Sequence, residues 1–173
     1  MNKNFLHFLF LVCLISLVGC VKSNEPKTST TKNPFGVKDV GEINYGEVKK
    51  FASESVLNGA ENDPNAEKWA TPQSMGGETG TIEGSWSSRW NGGAMGSEWQ
   101  KGKAQIKRVN DVYFILYEDN GKYLIEGKME KDSLIGKYVN QKNETDAGPW
   151  VGKVVNKDRI DGQWSQGRWD LRR

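Results

Sequence analysis

The residues of this chain best suited to chemistry are few, and the most reactive of them lie at its start. The one histidine, His7, and the two cysteines, Cys13 and Cys20, all fall in the first twenty residues. Beyond them the candidates are carboxylates, two of which could together hydrolyse a glycosidic bond if they faced each other: Glu118, Asp119, Glu126, Glu130, Asp161 and Asp170. Their spacing does not place any two of them on one inner face. We interpret them as solvated charges that pair with Lys and Arg across strands.

The first twenty residues have the composition of a targeting segment. Lys3 gives a short basic start, and positions 5–18 form an almost unbroken apolar run that is too short to span a bilayer comfortably. The run ends in Leu17-Val18-Gly19-Cys20, which resembles the lipobox of bacterial lipoproteins. The resemblance implies a signal peptide over residues 1–19 and acyl chains such as palmitate on Cys20. An ordinary secretory signal cleaved nearby is the alternative.

Cleavage before Cys20 would remove most of the catalytic repertoire. The mature chain would hold no histidine, and its single cysteine would carry lipid. A Ser-His-Asp triad, a Cys-His pair and a Cys/His zinc site would all be excluded. We therefore predict a protein that is not an enzyme and that needs no metal or cofactor, with a carboxylate-dependent hydrolase as the one enzymatic alternative.

Charge and the residue after the cysteine bear on location and partners. Removing residues 1–19 takes away one lysine, so the 24 basic residues become 24 − 1 = 23 against 22 acidic ones. A chain so close to neutrality gives no electrostatic reason to expect nucleic acid. Val21 follows the cysteine, and in Gram-negative lipoproteins a residue other than aspartate there favours the outer membrane. The resemblance thus implies a lipid-anchored monomer of the cell envelope, anchored to the outer membrane if the source is Gram-negative, on either its periplasmic or its outer side.

The segment from 20 to 80 is predicted to be a lipidated tether with one helix and a loop. Positions 21 to about 40 are polar and should form a flexible tether. Val48, Phe51, Ala52 and Val56 are spaced as one face of a helix over 47–57, which ends at Asn58-Gly59. We expect this helix to pack on the outside of the following domain; contact with a partner protein is the alternative. Positions 62–80, which include Trp69, are rich in turn residues and predict a loop.

A short phrase recurs through residues 81–173 and predicts their fold. It reads apolar, any, Gly, any, apolar, and alternate residues of a strand share a face. Its copies are Ile82-Gly84-Trp86, Ile125-Gly127-Met129, Leu134-Gly136-Tyr138, Trp150-Gly152-Val154 and Ile160-Gly162-Trp164. Eight strands with tight turns follow from the pattern: 80–90, 99–109, 112–118, 122–130, 133–140, 149–156, 159–165 and 167–172. We predict an all-β, antiparallel up-and-down barrel, because closure removes the exposed edges.

The repeated phrase also predicts which side chains fill the barrel. The inner set comprises Ile82, Trp86, Ile106, Ile125, Met129, Leu134, Tyr138, Val154, Ile160, Trp164, Trp169 and Leu171. The glycines between them should make room for bulky neighbours inside a narrow barrel. The strand over 112–118 is apolar at every position but its last, as expected for a strand covered on both sides.

The Gly84-Ser85-Trp86 sequence on the first strand, the eight-strand meander and an arginine on the last strand resemble the calycins, which include lipocalins. In lipocalins the last-strand arginine packs across the first-strand tryptophan and closes one end of the barrel. The resemblance implies that Arg172, or else Arg173, packs over Trp86, with Trp164 and Trp169 contributing to closure. It covers roughly residues 80–173.

Tryptophan is abundant, with seven in the chain. Most of them could simply fill the core. Trp90, Trp99 and Trp150 instead lie beside the two longer loops, 91–98 and 141–148, where they could line one mouth with Arg89 as a polar handle. We therefore expect a small apolar or amphipathic ligand at a tryptophan-rich barrel mouth. The alternative is a solid barrel that acts as a protein-interaction module, such as an envelope accessory or a hydrolase inhibitor.

Overall fold

The computed structural model describes residues 27–28, 31–57, 81–118 and 123–173. The predicted signal peptide, Cys20, the first part of the tether, the loop over 62–80 with Trp69, and Asp119 lie outside these residues.

Two short strands, β1 (Lys27–Thr28) and β2 (Glu42–Ile43), pair with each other and precede the helix α1 (Tyr45–Ser53). The barrel strands follow in this order: β3 (Gly84–Trp90), β4 (Gln100–Val109), β5 (Val112–Glu118), β6 (Tyr123–Glu130), β7 (Ser133–Asn140), β8 (Ala147–Asn156), β9 (Arg159–Trp164) and β10 (Gly167–Arg172).

These eight strands form the closed antiparallel barrel that the repeated phrase predicts. Each strand pairs with its neighbour in the chain, and β10 pairs with β3 to close the ring. At this seam Trp169 lies opposite Trp90 and Arg172 lies opposite Ser87. Closure gives every barrel strand two partners, so the edge backbone groups that an open meander would expose are paired.

The barrel interior is a continuous apolar core. All twelve predicted inner residues belong to it or pack against it, with Met129 and Val154 only partly buried. On β5, which is apolar on both faces, Tyr113, Ile115 and Tyr117 point inward.

Glycines inside the barrel are required by close approach of neighbouring strands. A Cβ atom on Gly136 would lie 2.0 Å from the carbonyl oxygen of Glu126, and one on Gly162 would lie 1.9 Å from that of Trp169. The large ring of Trp150 occupies the space left by Gly152 and Gly162, because a Cβ on Gly152 would lie 2.2 Å from its Cη2 atom and one on Gly162 would lie 3.0 Å from its Cζ2 atom. The predicted function of the glycines, to admit bulky neighbours, is confirmed here.

A second apolar cluster lies on the outer surface of the barrel and includes the helix. Val48 of α1 packs with Ile135, Val139 and Val151, which belong to β7 and β8. Packing of the helix on the barrel is therefore confirmed. The outward residues of β5, including Phe114, belong to the same cluster, so this strand is covered on both sides as predicted.

The helix boundaries differ from the prediction. Asn44 caps the N-terminus, since its side-chain oxygen accepts hydrogen bonds from the backbone N–H groups of Gly46 and Glu47. The helix ends at Ser53 rather than continuing to residue 57. Beyond it the chain is held by Gln163, whose Oε1 accepts from the Ser55 hydroxyl at 2.8 Å and from the Val56 backbone at 3.0 Å. As a result Val56, predicted on the apolar face, is 70% exposed.

The predicted tether ends earlier than residue 40. Asn33 is buried, and its side chain bonds to the backbone of Phe35 and Val37 and to Asp39. Phe35, Val37 and Val40 pack in the outer cluster. The polar composition of this segment predicted that it would be solvated. Its few, widely spaced apolar side chains are nevertheless enough to hold it against the barrel, because they pack on the outer face of the sheet.

Candidate ligand site at the barrel mouth

One end of the barrel carries the longer connections. The loop between β3 and β4 contains a single 3-10 turn, Gly93–Met95, and packs directly on the turn between β9 and β10. A Cβ on Gly92 would lie 2.1 Å from the carbonyl oxygen of Gln166, so only glycine allows this contact. Asn91 fixes the same junction, because its carbonyl accepts from the Trp164 indole and its side chain accepts from the Arg168 backbone, both at 2.9 Å.

A pocket of about 500 Å³ opens at this end, and we call it the mouth pocket. Four aromatic side chains line it: Trp90, Tyr123, Tyr138 and Trp164. The Trp164 ring is nearly perpendicular to that of Trp90, at 82° and 6.2 Å between centroids, and to that of Tyr138, at 83° and 5.6 Å. The volume is within the range of about 300–1,000 Å³ typical of small-molecule sites.

The polar part of the mouth pocket comes mainly from the loop between β7 and β8. Asp146 is its one charged lining residue among those described, accompanied by Asn143, Thr145 and Gln166. Its Oδ2 atom accepts from the Tyr123 hydroxyl at 2.9 Å and from the Asn140 amide at 3.0 Å. Its backbone is also fixed, with its carbonyl bonded to the Asn140 N–H at 2.9 Å. The carboxylate is therefore held in one place before any ligand arrives.

Both pocket tyrosines are harder to ionise than usual. Burial, followed by the hydrogen bond and charge of Asp146, raises the pKa of Tyr123 from 10.0 to about 12. Burial also raises the pKa of Tyr138, although its hydrogen bond to Ser165 acts in the opposite direction. The two phenols are thus neutral hydrogen-bonding groups at ordinary pH. The negative charge of Asp146 contributes to the raised pKa of both tyrosines.

Below the mouth pocket the barrel is filled. Trp169 packs against the lining residue Tyr123, with 5.4 Å between ring centroids, and lies 4.9 Å from the ring centroid of Tyr117. Its indole N–H donates to the Ser88 hydroxyl at 3.0 Å, inside the barrel. Trp86 and Trp150 are each 1% exposed and fill the layers beneath. A ligand would therefore occupy the mouth and would not enter a deep calyx.

The opposite end is closed by an arginine and a tryptophan. The guanidinium of Arg173 lies over Trp86 and donates to the carbonyl of Glu83 at 2.9 Å and to that of Thr81. The calycin resemblance placed Arg172 or Arg173 in this position, and the structure selects Arg173. Arg172, the last residue of β10, has the opposite parity, points outward and bonds to Asp161.

The four predicted ligand residues are not brought together. Trp90 lines the mouth pocket, but Arg89 has the opposite parity on β3 and points outside, where it lies 4.1 Å from the ring of Trp99. Trp150 is inside the barrel but deeper, because β8 begins at Ala147, two residues before the predicted start. Of the predicted closure residues, Trp164 lines the mouth pocket and Trp169 belongs to the core.

Sequence reasoning overlooked Tyr123 and Asp146. Tyr123 begins β6 with inward parity at the loop-bearing end, and that parity was available from Ile125 in the repeated phrase. The position of Asp146 depends on how the loop of residues 141–146 folds, which strand periodicity does not specify.

The carboxylates Asp161 and Asp170 lie on the outer face of the barrel and are buried with arginines. Asp170 accepts from Arg89 at 3.1 Å and from Arg168 at 2.9 Å, while Asp161 accepts from Arg159 at 2.8 Å. Asp161 and Asp170 therefore pair with arginines as predicted, but they are buried rather than solvated: the Asp170 side chain is 1% exposed. Each carboxylate is fixed by two guanidiniums, an arrangement suited to structure rather than to proton transfer.

The chain matches no protein-family model, no curated protein and no solved structure. Within the described residues, no helix has the length and apolar character needed to cross a membrane.

Proposed function

We propose that this protein is a lipid-anchored lipoprotein of the bacterial cell envelope whose barrel binds a small ligand at its mouth. The proposal for the anchor rests on the lipobox-like Leu17-Val18-Gly19-Cys20 sequence. The proposal for the ligand rests on one observation: a pocket of about 500 Å³, lined by four aromatic rings and a fixed carboxylate, at the loop-bearing end of a filled barrel.

Several features of the mouth pocket support binding rather than packing. Its aromatic rings are held in place by interior contacts and by hydrogen bonds such as that from Trp164 to Asn91. Its loops are joined to one another through Gly92 and Gln166. A site that is formed before the ligand arrives loses little conformational entropy on binding.

Native mass spectrometry of the full chain, purified with its anchor from its own envelope extract, tests the proposal. We expect an added mass that disappears on denaturation. Ala94→Trp should abolish it, because Ala94 lines the mouth pocket on an exposed turn and the indole would occupy the space. Ser97→Trp is the matched control, since this exposed residue of the same loop does not line the pocket. A clean chain mass for the unaltered protein would contradict ligand binding.

A second function, a non-enzymatic protein-interaction module, is favoured by the filled interior below the mouth. The apolar side of α1 is already engaged, since Val48 packs against β7 and β8, so a partner would meet other surfaces. Beside the mouth, the exposed apolar side chains that a partner protein could contact are Trp99, which is 38% exposed, and Met95, which is 40% exposed. In the same spectra this function predicts a bound polypeptide in place of a small molecule.

A further inference from the structure

The charge of the mouth pocket is one-sided. Asp146 is the only charged side chain among its described lining residues, and neither lysine nor arginine is among them. Among these described lining residues, an anionic ligand would meet a carboxylate and no compensating cation. A cationic ligand would meet an opposite charge in a partly enclosed space, where electrostatic attraction is stronger than in bulk water.

The aromatic rings add to the same preference. The faces of Trp and Tyr rings carry negative electrostatic potential, and cations bind over them within about 6 Å of the centroid. The Trp164 ring is close to perpendicular to both Trp90 and Tyr138. A ligand that lies between two perpendicular rings contacts the face of at least one of them. A flat sugar ring, by contrast, stacks best on a single exposed aromatic face.

The hydrogen bonds of the pocket leave acceptor capacity on the carboxylate of Asp146, and they leave one buried donor, the Nε1 of Trp90, without a partner among the described residues. The Tyr123 hydroxyl donates to Asp146, the Trp164 indole donates to Asn91, and the Tyr138 hydroxyl is bonded to Ser165. The Oδ1 atom of Asp146, by contrast, takes part in neither of these carboxylate hydrogen bonds, because the Tyr123 hydroxyl and the Asn140 amide both donate to Oδ2. The carboxylate can therefore receive a charged N–H donor or lie beside a quaternary nitrogen.

We infer that the mouth pocket recognises a small organic cation, an amine or a quaternary ammonium group, with Asp146 as the counter-ion and the aromatic rings around the positive charge. This inference rests on the proposed function, because it assigns a ligand class to the same pocket. A neutral saccharide or a purely apolar molecule is the competing ligand class.

Two probes that differ only in charge test the inference. Choline and 3,3-dimethylbutan-1-ol have nearly the same shape, with nitrogen in the first replaced by carbon in the second. Each is titrated against the full chain in an uncharged polyoxyethylene detergent, following tryptophan fluorescence and calorimetry. We expect choline to bind roughly ten-fold more tightly than its neutral isostere, as a cation held by aromatic rings and a carboxylate should.

Asp146→Asn removes the charge and keeps the shape, and should weaken choline binding about ten-fold while leaving the isostere unchanged. Glu144→Gln is the matched control, because it removes a charge from the same loop at a residue that does not line the pocket. If the Asp146 variant fails to fold, the salt dependence of binding to the unaltered chain provides the test instead. Sodium chloride should weaken the binding of choline and leave the binding of the neutral isostere unchanged.

The outcomes separate the inference from the proposed function. Equal affinity for the two probes, or preference for a neutral sugar, would overturn the cation inference and leave a ligand-binding barrel. Binding of neither probe, with a bound small molecule in the native mass spectra, would have the same consequence. Binding of neither probe and no bound mass would overturn both.

Discussion

The guanidinium of Arg173 lies 4.5 Å from the centroid of the Trp86 ring, at the end of the barrel opposite the mouth pocket. Its side chain is 8% exposed and also donates to the carbonyl of Glu83. One residue thus covers the last layer of the core and ties the segment before β3 to the end of β10.

Arg173→Ala should lower the free energy of unfolding by about 1–3 kcal/mol, because it removes a partly desolvated cation–π contact and charged hydrogen bonds to backbone. Chemical denaturation measures the change. Arg173→Lys should recover only part of it, since an ammonium lacks the planar fork. The matched control is Arg108→Ala, an exposed arginine over Tyr113 at 5.3 Å, which should change stability by less than about 0.5 kcal/mol. Equal losses from the two alanine variants would contradict the closing role of Arg173.

Two glycine-to-alanine substitutions should have opposite signs. Gly162→Ala puts a methyl group 1.9 Å from a carbonyl oxygen on the paired strand, so β9 and β10 must separate, and we expect a loss of about 3 kcal/mol or failure to fold. Gly46→Ala lies on the exposed side of α1 and should stabilise by about 0.5–1 kcal/mol through helix propensity. Thermal unfolding distinguishes them, and a tolerated alanine at 162 would contradict the strand spacing.

Asp170→Asn should be strongly destabilising. It leaves the guanidiniums of Arg89 and Arg168 without their shared carboxylate in a buried site, for which losses of about 3–5 kcal/mol are typical. Glu130→Gln, which removes the exposed pair with Lys49, is the control and should cost at most about 1 kcal/mol. Urea titrations measure the free energy of unfolding of both variants. Similar unfolding midpoints for the two would show that the buried Asp170 network contributes little to the stability of the fold.

Alkaline pH should destabilise the fold through its tyrosines. The pKa of Tyr123 and of Tyr45 is raised from 10.0 to about 12, in both cases first by burial. A group with a raised pKa holds its proton more tightly when folded. Its contribution is therefore complete below pH 10 and is lost as the pH rises from 10 to 12. Absorbance of tyrosinate should show a late phase near pH 12 that Tyr123→Phe reduces. Simultaneous titration of all tyrosines near pH 10 in the folded protein would contradict these shifts.

Cys20→Ser should abolish the lipid anchor. In cells fed labelled palmitate, we expect label on the unaltered protein and none on the variant, since the sulfur that the proposal assigns to acylation is gone. The unaltered protein should partition into detergent and the variant should not enter it through acyl chains. Replacement of Cys13 by Ser, inside the predicted signal peptide, is the control and should leave labelling intact. Equal labelling of the Cys20 variant would contradict the lipobox interpretation.

The barrel was predictable because its information is local and repeated. Five copies of one phrase, Ile125-Gly127-Met129 among them, fix inward parity on five strands, and turn residues fix where strands end. The residues that line the mouth pocket were harder to predict from the sequence. Whether Trp150 lines the mouth pocket or lies beneath it depends on a two-residue difference in where β8 begins. Periodicity in a sequence specifies the ends of a strand less closely than it specifies the strand itself. Asp146 is placed by hydrogen bonds within its own loop, which periodicity does not encode.

The order of strands has a consequence for folding kinetics. Seven of the eight pairings join strands that follow one another, so they can form by hairpin growth, whereas the pairing of β3 with β10 joins residues such as Trp90 and Trp169 that are distant in the chain. Loop-closure entropy makes that pairing the slow one. A nascent chain must therefore hold β3 with an unpaired edge until β10 has been synthesised, and during that interval it is exposed to edge-to-edge aggregation.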